Sequence, residues 1–461
     1  MRVPAVFLSQ LWGLLCGGAL GAVRTRQAAT HLLAKNHLLE AAGLPHLPGA
    51  GHWEVLSSSA PAWAGAVFFG LSLGLGVGSL CAVWCRVTRR IPGPGGRWLP
   101  RLVLALPLPA LAAGDPALAG CLFAIAGGSL ALHRAAQPPR PLVWRLVLLA
   151  ICAGGLIPWA LAPEGPFTRL RDQVLFTNAV GLAVDQFYYR WTLYPAEVLK
   201  PLAARTQPLA AVSPELPGPQ RRRWCNEVRR LGVLCVDATG AAAGGVDLTV
   251  APDAGAVVLV SGTTRLPWPQ GAADQQQTWQ QLSTARDVNR ALRRATGLAL
   301  FVGCPLGLCW LLTSVALRLA CVFPSELRRR LAAAVLTAVV TAGLGAAGRA
   351  DPAVVTLRDR LVEAPPATAE DLGQRLRSPR VVERFYAARA GRHLGSAGEA
   401  PLLEALSDPV INVRYAAAQA LGEVGGTAAR TTLNELLAQP EEWYVKERAY
   451  ASLRRIGWPP P

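Results

Sequence analysis

Four of the six histidines, His31, His37, His46 and His52, fall in one polar stretch, residues 24–59. Neutral imidazole is a common metal ligand, so a metal or haem site is the first chemistry to consider. The spacing opposes it. His31 and His37 are six apart and do not share a helix face, and His46 and His52 sit among glycines and prolines. The stretch reads as a polar loop that carries histidines. Cys81 and Cys85 are four apart, one helical turn, but nothing else with ligand character lies near them in sequence. Of the 10 cysteines, Cys225 and Cys235 stand in a polar region. Facing an oxidising compartment they would form a disulfide; facing the cytosol they would be two free thiols. The other cysteines lie in or beside apolar runs, where they behave as small hydrophobes.

No other constellation carries chemistry. There is no Walker loop, no GxGxxG after a strand, no HExxH and no GxSxG. His133 and His393 are isolated. We therefore expect no enzyme activity, no cofactor and no metal. Binding chemistry is a different matter. Tyr188, Tyr189 and Trp191 lie close together within RLRDQVLFTNAVGLAVDQFYYRWTLYPAEVLKPL. Alternating charged and apolar residues there suit a helix at a membrane interface, over about 170–202, with its aromatics at headgroup depth. The alternative is a partner-docking surface, because Tyr, Trp and Arg dominate binding hot spots.

The elements that must position these residues follow from composition. The chain is 52% hydrophobic, with a mean hydropathy of +0.29, too apolar for an ordinary soluble protein. Its apolar residues are clumped into long runs, a membrane signature. The net charge of +17 suggests nucleic acid at first sight. However, basic and acidic residues nearly balance from Arg349 onward, and most of the excess lies in short connections between apolar runs. That is topological charge, which holds loops on the cytoplasmic side. Nucleic acid is not an expected partner; the lipid bilayer is.

Seven spans are expected. Five lie in residues 1–162: about 3–23, 60–85, 102–113, 117–132 and 142–161. Two more lie in 294–348, at 296–322 and 331–347. The first is read as an uncleaved helix rather than a signal peptide. Trp63 and Trp84 bracket the second as interface anchors. The arms 102–113 and 117–132 are near or below spanning length and form a tight hairpin or a re-entrant pair. The glycines of GGALG and LGLGVG lie inside spans, where they serve close helix packing. Placing the Arg-rich connections 86–101, 133–141 and 323–330 inside puts the N-terminus in the cytoplasm. Region 163–293 and the C-terminal region then lie outside. Few ionisable groups fall within spans, which argues against transport as the main role.

Within 163–293, a Pro-rich joint at Pro208–Pro219 leads to a small α/β unit, about 216–266, and then an amphipathic helix, 274–295. Gln220–Arg230 reads as a helix; LGVLCVDA, GGVDLTVAP and GAVVLVSG read as strands. On this topology the unit is extracytoplasmic and the Cys225–Cys235 bridge is expected.

Residues 367–461 repeat about every 30 residues. Pro379, Pro409 and Pro440 each follow a polar break, and Gly395, Gly425 and Gly457 end the helices that follow. The best-formed copy reads LLEALSDPVINVRYAAAQALGEVGG. Leu402, Leu403 and Leu406 line its first helix; Val413, Ala416, Ala417, Ala420, Leu421 and Val424 line its second at 3.6-residue spacing. One such pair cannot bury its apolar face alone, so neighbours must stack. The Asp408-Pro409 turn, the Val413-Arg414 pair and the LGxxG end at Leu421–Gly425 resemble HEAT repeats, in particular the short type also found in phycobilisome lyases. The whole chain resembles bacterial multi-pass membrane proteins that end in HEAT repeats. The resemblance implies an α-solenoid of about three repeats that binds protein, with Asp and Arg linking adjacent repeats. A basic residue persists at Arg384, Arg414 and Lys446; the acid of Asp408 is replaced by Ser378 and Gln439. Arg384, Arg414, Tyr415, Trp443 and Tyr444 are the expected partner contacts, with an inter-repeat structural role as the competing reading for each arginine. The expected whole is mainly α: a multi-pass inner-membrane bundle, a small α/β insert and a C-terminal solenoid held outside the cytoplasm for a protein partner.

Overall fold

A computed structural model describes residues 5–43, 57–88, 98–134, 175–185, 198–199, 208–230, 233–237, 245–253, 256–261, 264–268, 290–308, 351–439 and 443–457, with isolated positions between 277 and 335. The expected spans 142–161 and 331–347, the far half of 296–322, and most of the helices expected at 170–202 and 274–295 lie outside these residues. So do His46, His52, Tyr188, Tyr189 and Trp191.

Helix α1 runs from Ala5 to Ala41 without a break. The expectation of a polar loop from residue 24 is corrected here. RTRQAATHLLAKNHLLEA is rich in good helix formers and holds no Gly or Pro, so nothing stops the helix before Gly43, which takes a left-handed φ of 65°. Its 37 residues reach about 55 Å. A hydrocarbon layer is about 30 Å thick, so the polar end stands well clear of any apolar layer. α2 (Ala60–Phe69) continues through a π-helical turn at Gly70–Gly74 into α3 (Leu75–Thr88). A 3-10 stretch at Leu99–Ala105 and the short α4 (Leu108–Ala112) precede a tight turn with Gly114 at φ 72°. α5 spans Pro116–Arg134. The arm expected at 102–113 is thus not one α-helix. Pro107 and Pro109 interrupt it, and the larger 3-10 rise lets 99–112 cover roughly 24 Å in few residues.

Three described helices are long and apolar enough to cross a membrane: α1, the continuous Ala60–Thr88 helix and α5. Large exposed apolar side chains gather on this part of the molecule. They include Phe7, Leu11, Leu15, Trp63, Leu71, Trp84, Leu102, Leu108, Phe123 and Leu298. Inside, the helices meet glycine to glycine. A Cβ on Gly13, Gly21, Gly65 or Gly74 would come closer than 3.0 Å to backbone of the facing helix. Gly76, on the other side of the same helix, meets Ala299 equally closely. Ala299 lies in a π-helical turn at Ala299–Gly303, which follows α7 (Arg290–Leu298). Polar clamps join the helices further. Gln10 Nε2 donates to Ser79 Oγ at 3.1 Å and to Gly307 O at 3.4 Å, and Arg24 pairs with the buried Asp115 carboxylate.

The α/β unit is a five-stranded sheet in the order β2-β1-β3-β4-β5. The strands are β1 (Leu209–Val212), β2 (Leu234–Asp237), β3 (Leu248–Asp253), β4 (Ala256–Ser261) and β5 (Thr264–Pro267). β1 is parallel to both its neighbours, and α6 (Gly218–Arg230) makes the crossover from β1 to β2. The remaining pairs are antiparallel. The Pro-rich joint therefore begins with a strand, and that strand lies inside the sheet. Strands buried on both faces read as short continuous apolar runs without alternation, and LAAV gives no more signal than that. Ala210, Val212, Cys235, Leu248 and Val250 face α6 across one core. Leu209, Ala211, Leu234 and Val236 face the other way. They share a second core with Leu39 of α1, Phe176, and the C-terminal helices.

Those helices are α8 (Pro352–Glu363), α9 (Ala369–Leu376), α10 (Val381–Ala390), α11 (Glu399–Ala405), α12 (Ile411–Val424), α13 (Thr427–Ala438) and α14 (Trp443–Arg455). α9/α10, α11/α12 and α13/α14 are the three expected pairs, and α8 packs ahead of them. Gly395, Gly425 and Gly457 all hold left-handed φ, at 55°, 67° and 83°. Each ends its repeat with the backbone reversal that glycine adopts without a Cβ penalty.

Candidate protein-interaction surface on the repeat array

The array is assembled from local capping first. Asp351 accepts from Ala353 N at 2.9 Å and Thr368 accepts from Asp371 N at 3.1 Å, so the helices they precede start on capped N-termini. α13 starts on Gly426, which has no side chain to cap it. Glu399 of the preceding repeat supplies the cap, accepting from Ala429 N at 2.7 Å. A Cβ at 426 would meet that carboxylate, so a side chain there would push the Glu399 cap aside.

The basic residue near the start of each second helix closes the turn of its own repeat. Arg384 Nη1 donates to Ser378 O at 2.9 Å, Arg414 Nη1 to Asp408 O at 2.7 Å and Lys446 Nζ to Leu437 O at 2.9 Å. One inter-repeat rung is added. Arg384 grips the Asp408 carboxylate with Nε at 2.6 Å and Nη2 at 3.2 Å, while Asp408 Oδ1 also accepts from Val410 N at 2.8 Å. Of the two readings open for Arg384, the geometry is that of the inter-repeat one: its side chain is turned inward, 11% exposed, and holds repeat one to repeat two.

At the second junction Gln439 stands where a carboxylate would be needed, and aromatic packing is found instead. Tyr415 and Tyr444 stack with centroids 4.1 Å apart and planes 15° off parallel. The Arg448 guanidinium lies 4.5 Å from the Tyr415 ring and donates to its hydroxyl. Tyr415 and Tyr444 are thus brought together, both half-buried. Trp443 opens α14, and its side chain is outside the described residues. The partnership of Arg448 with Tyr415 is not legible in the sequence, because it links residues 33 apart across two repeats. At the far ends of the second helices, Glu423 bridges Arg392 at 3.6 Å and Arg455 at 3.1 Å. Burial lowers the pKa of Arg454 nearby, with Tyr450 opposing.

These rungs are unequal, and that is measurable. Arg384→Ala should leave Asp408 buried without its cation and destabilise the array by ~3 kcal/mol. Arg377→Ala removes an ion pair whose partners are 69% and 66% exposed and should change little, under ~1 kcal/mol. Thermal unfolding of the two variants side by side checks the difference. Equal losses would mean that Arg384 is not a rung.

Two segments of the chain meet the second-helix face of the array. Phe176 packs on Phe385, centroids 4.8 Å apart at 60°, and Asn412 Nδ2 donates to Asp185 Oδ2 at 3.0 Å. The sheet joins the same core. Away from the array, Cys225 Sγ is bonded to Cys235 Sγ, tying α6 to β2. His31 lies on α1 within 3.5 Å of the Asp247 carboxylate, and Lys35 pairs with the same group. Among the described residues no group of three or more His, Cys, Asp or Glu is arranged to hold a metal ion.

Residues 369–454 match the family model for HEAT repeats. The match covers the three helix pairs and about one fifth of the chain. No curated protein and no solved structure matches the chain. HEAT repeats generally mediate protein interactions, so the C-terminal array has a protein-interaction role in prospect, and the apolar helices point to membrane association.

Proposed function

We propose that the protein is a multi-pass membrane anchor that presents its HEAT repeats, together with the α/β unit, to a protein partner outside the cytoplasm, at the inner membrane. The observation that carries this reading is the position of α1. Its apolar end packs among the helices suited to a membrane, and its polar end is clamped into the α/β unit by Lys35 and Asp247. The array shares a core with that unit, so all three fall on one side of the apolar layer. The Arg-rich connections belong to the opposite side by their charge. The Cys225–Cys235 disulfide supports the same assignment, because such bonds persist in oxidising compartments. The reading is non-enzymatic. A component of a transport complex is the second reading, favoured by the buried polar groups Ser9, Gln10, Ser79 and His133 among the apolar helices. They bond to one another and to backbone, which suits helix clamps better than a pathway.

The test is a topology reporter fused after Pro461, alkaline phosphatase against a fluorescent protein that folds only in the cytosol, with thiol alkylation of the same membranes. Active phosphatase, with Cys225 and Cys235 blocked to alkylation until reduced, is the expected result. Cys225→Ser should then cost about 2–3 kcal/mol, the loop-closure value for a ten-residue separation. A fluorescent fusion and freely alkylated thiols would overturn the extracytoplasmic assignment and shift the span count by one.

A further inference from the structure

We propose that segment 175–185 is an internal ligand of the HEAT repeats, a detachable strap that occupies their second-helix face through an aromatic ring and, nine residues on, a carboxylate. The proposal deepens the scaffold reading and rests on it.

The segment is a 3-10 turn at Leu175–Thr177 followed by a short helix over 179–185. It is folded on itself before it meets the array. Asn178 Oδ1 accepts from Gly181 N at 2.7 Å, and Gly181 lies so close to Leu175 O that a Cβ there would collide. Thus prepared, it reaches across two successive repeats. Phe176 lies against Phe385 on the second helix of repeat one. Asp185 meets Asn412 in the first turn of the second helix of repeat two. Both anchors are fully buried, and Leu182 between them packs on the same core.

Two features suit the segment to such a role. First, the segment is buried on one side only. Val180 is 61% exposed and Val184 50% exposed, with Ala179 and Ala183 beside them. Its outer face is already solvated, so release of the segment uncovers only its inner face and the part of the shared core beneath Phe176 and Leu182. Second, the two anchors differ in kind, one apolar ring and one acceptor for a side-chain amide. That is the mixture by which a binding surface selects a peptide, an apolar anchor for affinity and a directed hydrogen bond for register. Residues 382 and 412 are equivalent in successive repeats, as are 385 and 415. Repeat one thus presents Val382 and Phe385 where repeat two presents Asn412 and Tyr415. The ring and the carboxylate each select one repeat.

The test uses the full chain in lipid nanodiscs. A fluorescent peptide of residues 173–185 is titrated against the wild-type chain and against Phe176→Ala/Asp185→Ala, in which the array itself is unchanged. The peptide should bind the double variant saturably and at least tenfold more tightly than wild type. The same peptide carrying Phe176→Ala should lose that binding. Binding to neither chain, or equal binding to both, overturns the proposal. A second arm guards against a folding defect. Asn412→Asp sets two carboxylates against each other and should lower amide-exchange protection of 411–418 about tenfold. Adding Asp185→Asn rebuilds the hydrogen bond with donor and acceptor exchanged and should restore protection. Failure to restore it also overturns the proposal. The peptide arm needs no outside partner, so a negative result would remove the internal ligand while leaving the scaffold reading to its own topology test.

Discussion

Gly74→Val should prevent the apolar helices α1 to α3 from assembling. A Cβ at residue 74 points into the backbone of Gly13 on α1, closer than 3.0 Å, and lies 3.1 Å from Gly17 Cα; a helix backbone has no rotamer through which to retreat. The two helices would have to separate along their whole crossing, breaking the neighbouring contacts of Gly21 with Gly65 and of Gly78 with Ser9. Overpacking ordinarily costs 1–3 kcal/mol when side chains can shift; here a loss of ~3 kcal/mol or more is expected. In the bilayer proposed above, close backbone approach is the main source of helix association, because lipid and leucine are equally apolar, so little remains to compensate. Gly127→Ala is the matched control. It sits in α5 with nothing within 4 Å of the added Cβ, and the change should be neutral or stabilise by up to ~1 kcal/mol. The measurement is the yield of monodisperse protein after mild detergent extraction, with thermal unfolding of whatever survives. Comparable yields of the two variants would show that the crossing is not a close-packed one.

Asp247→Ala should have the next largest effect, and at the opposite end of α1. Lys35 is 3% exposed and Asp247 1%. Asp247 serves three partners at once: it pairs with Lys35, accepts from Leu209 N at 2.9 Å through the same Oδ2, and lies near His31. Removing it leaves a buried ammonium without its counter-charge and takes a hydrogen bond from the first residue of β1. Breaking a buried pair from one side costs about 3–5 kcal/mol. The reciprocal change is more informative. Lys35→Met/Asp247→Asn removes both charges, keeps an acceptor for Leu209 N, and should recover most of the loss, because desolvation of the pair offsets much of its attraction. Protease sensitivity of the α/β unit in the intact chain reports the outcome. If the double variant is as sensitive as Asp247→Ala, the charges are not what matters, and shape at residue 35 is.

Much of the architecture was legible because it is periodic. The repeats announce themselves three times, and each announcement pairs a proline break with a terminal glycine; all three glycines adopt the left-handed conformation their spacing implies. Apolar length marks the three helices long enough to cross a membrane in the same way. What was not legible fails for identifiable reasons. The polar half of α1 looks like a loop because half of its surface is polar; it is a helix because Leu32, Leu38 and Leu39 find a core supplied by residues more than 130 positions away. β1 is invisible as LAAV because a doubly buried strand needs no alternation. For Arg384 and Arg414 alike the sequence leaves a partner contact and an inter-repeat role open, and only the position of Asp408 relative to both makes Arg384 the rung.

By itself, then, the chain order of amino acids determines the local elements: which stretches are helical, where each repeat begins and ends, which runs are apolar enough for a membrane, and that the C-terminal segment is a HEAT-type array. These follow from short-range preferences and from periods of a few residues. Only the tertiary structure decides which of those elements meet. It brings Lys35 to Asp247, Phe176 to Phe385 and Asp185 to Asn412, and so joins α1, the sheet and the array. These are pairings over long sequence separation, fixed by the burial of apolar faces that no single segment can cover alone, and a one-dimensional pattern carries no record of which covers which.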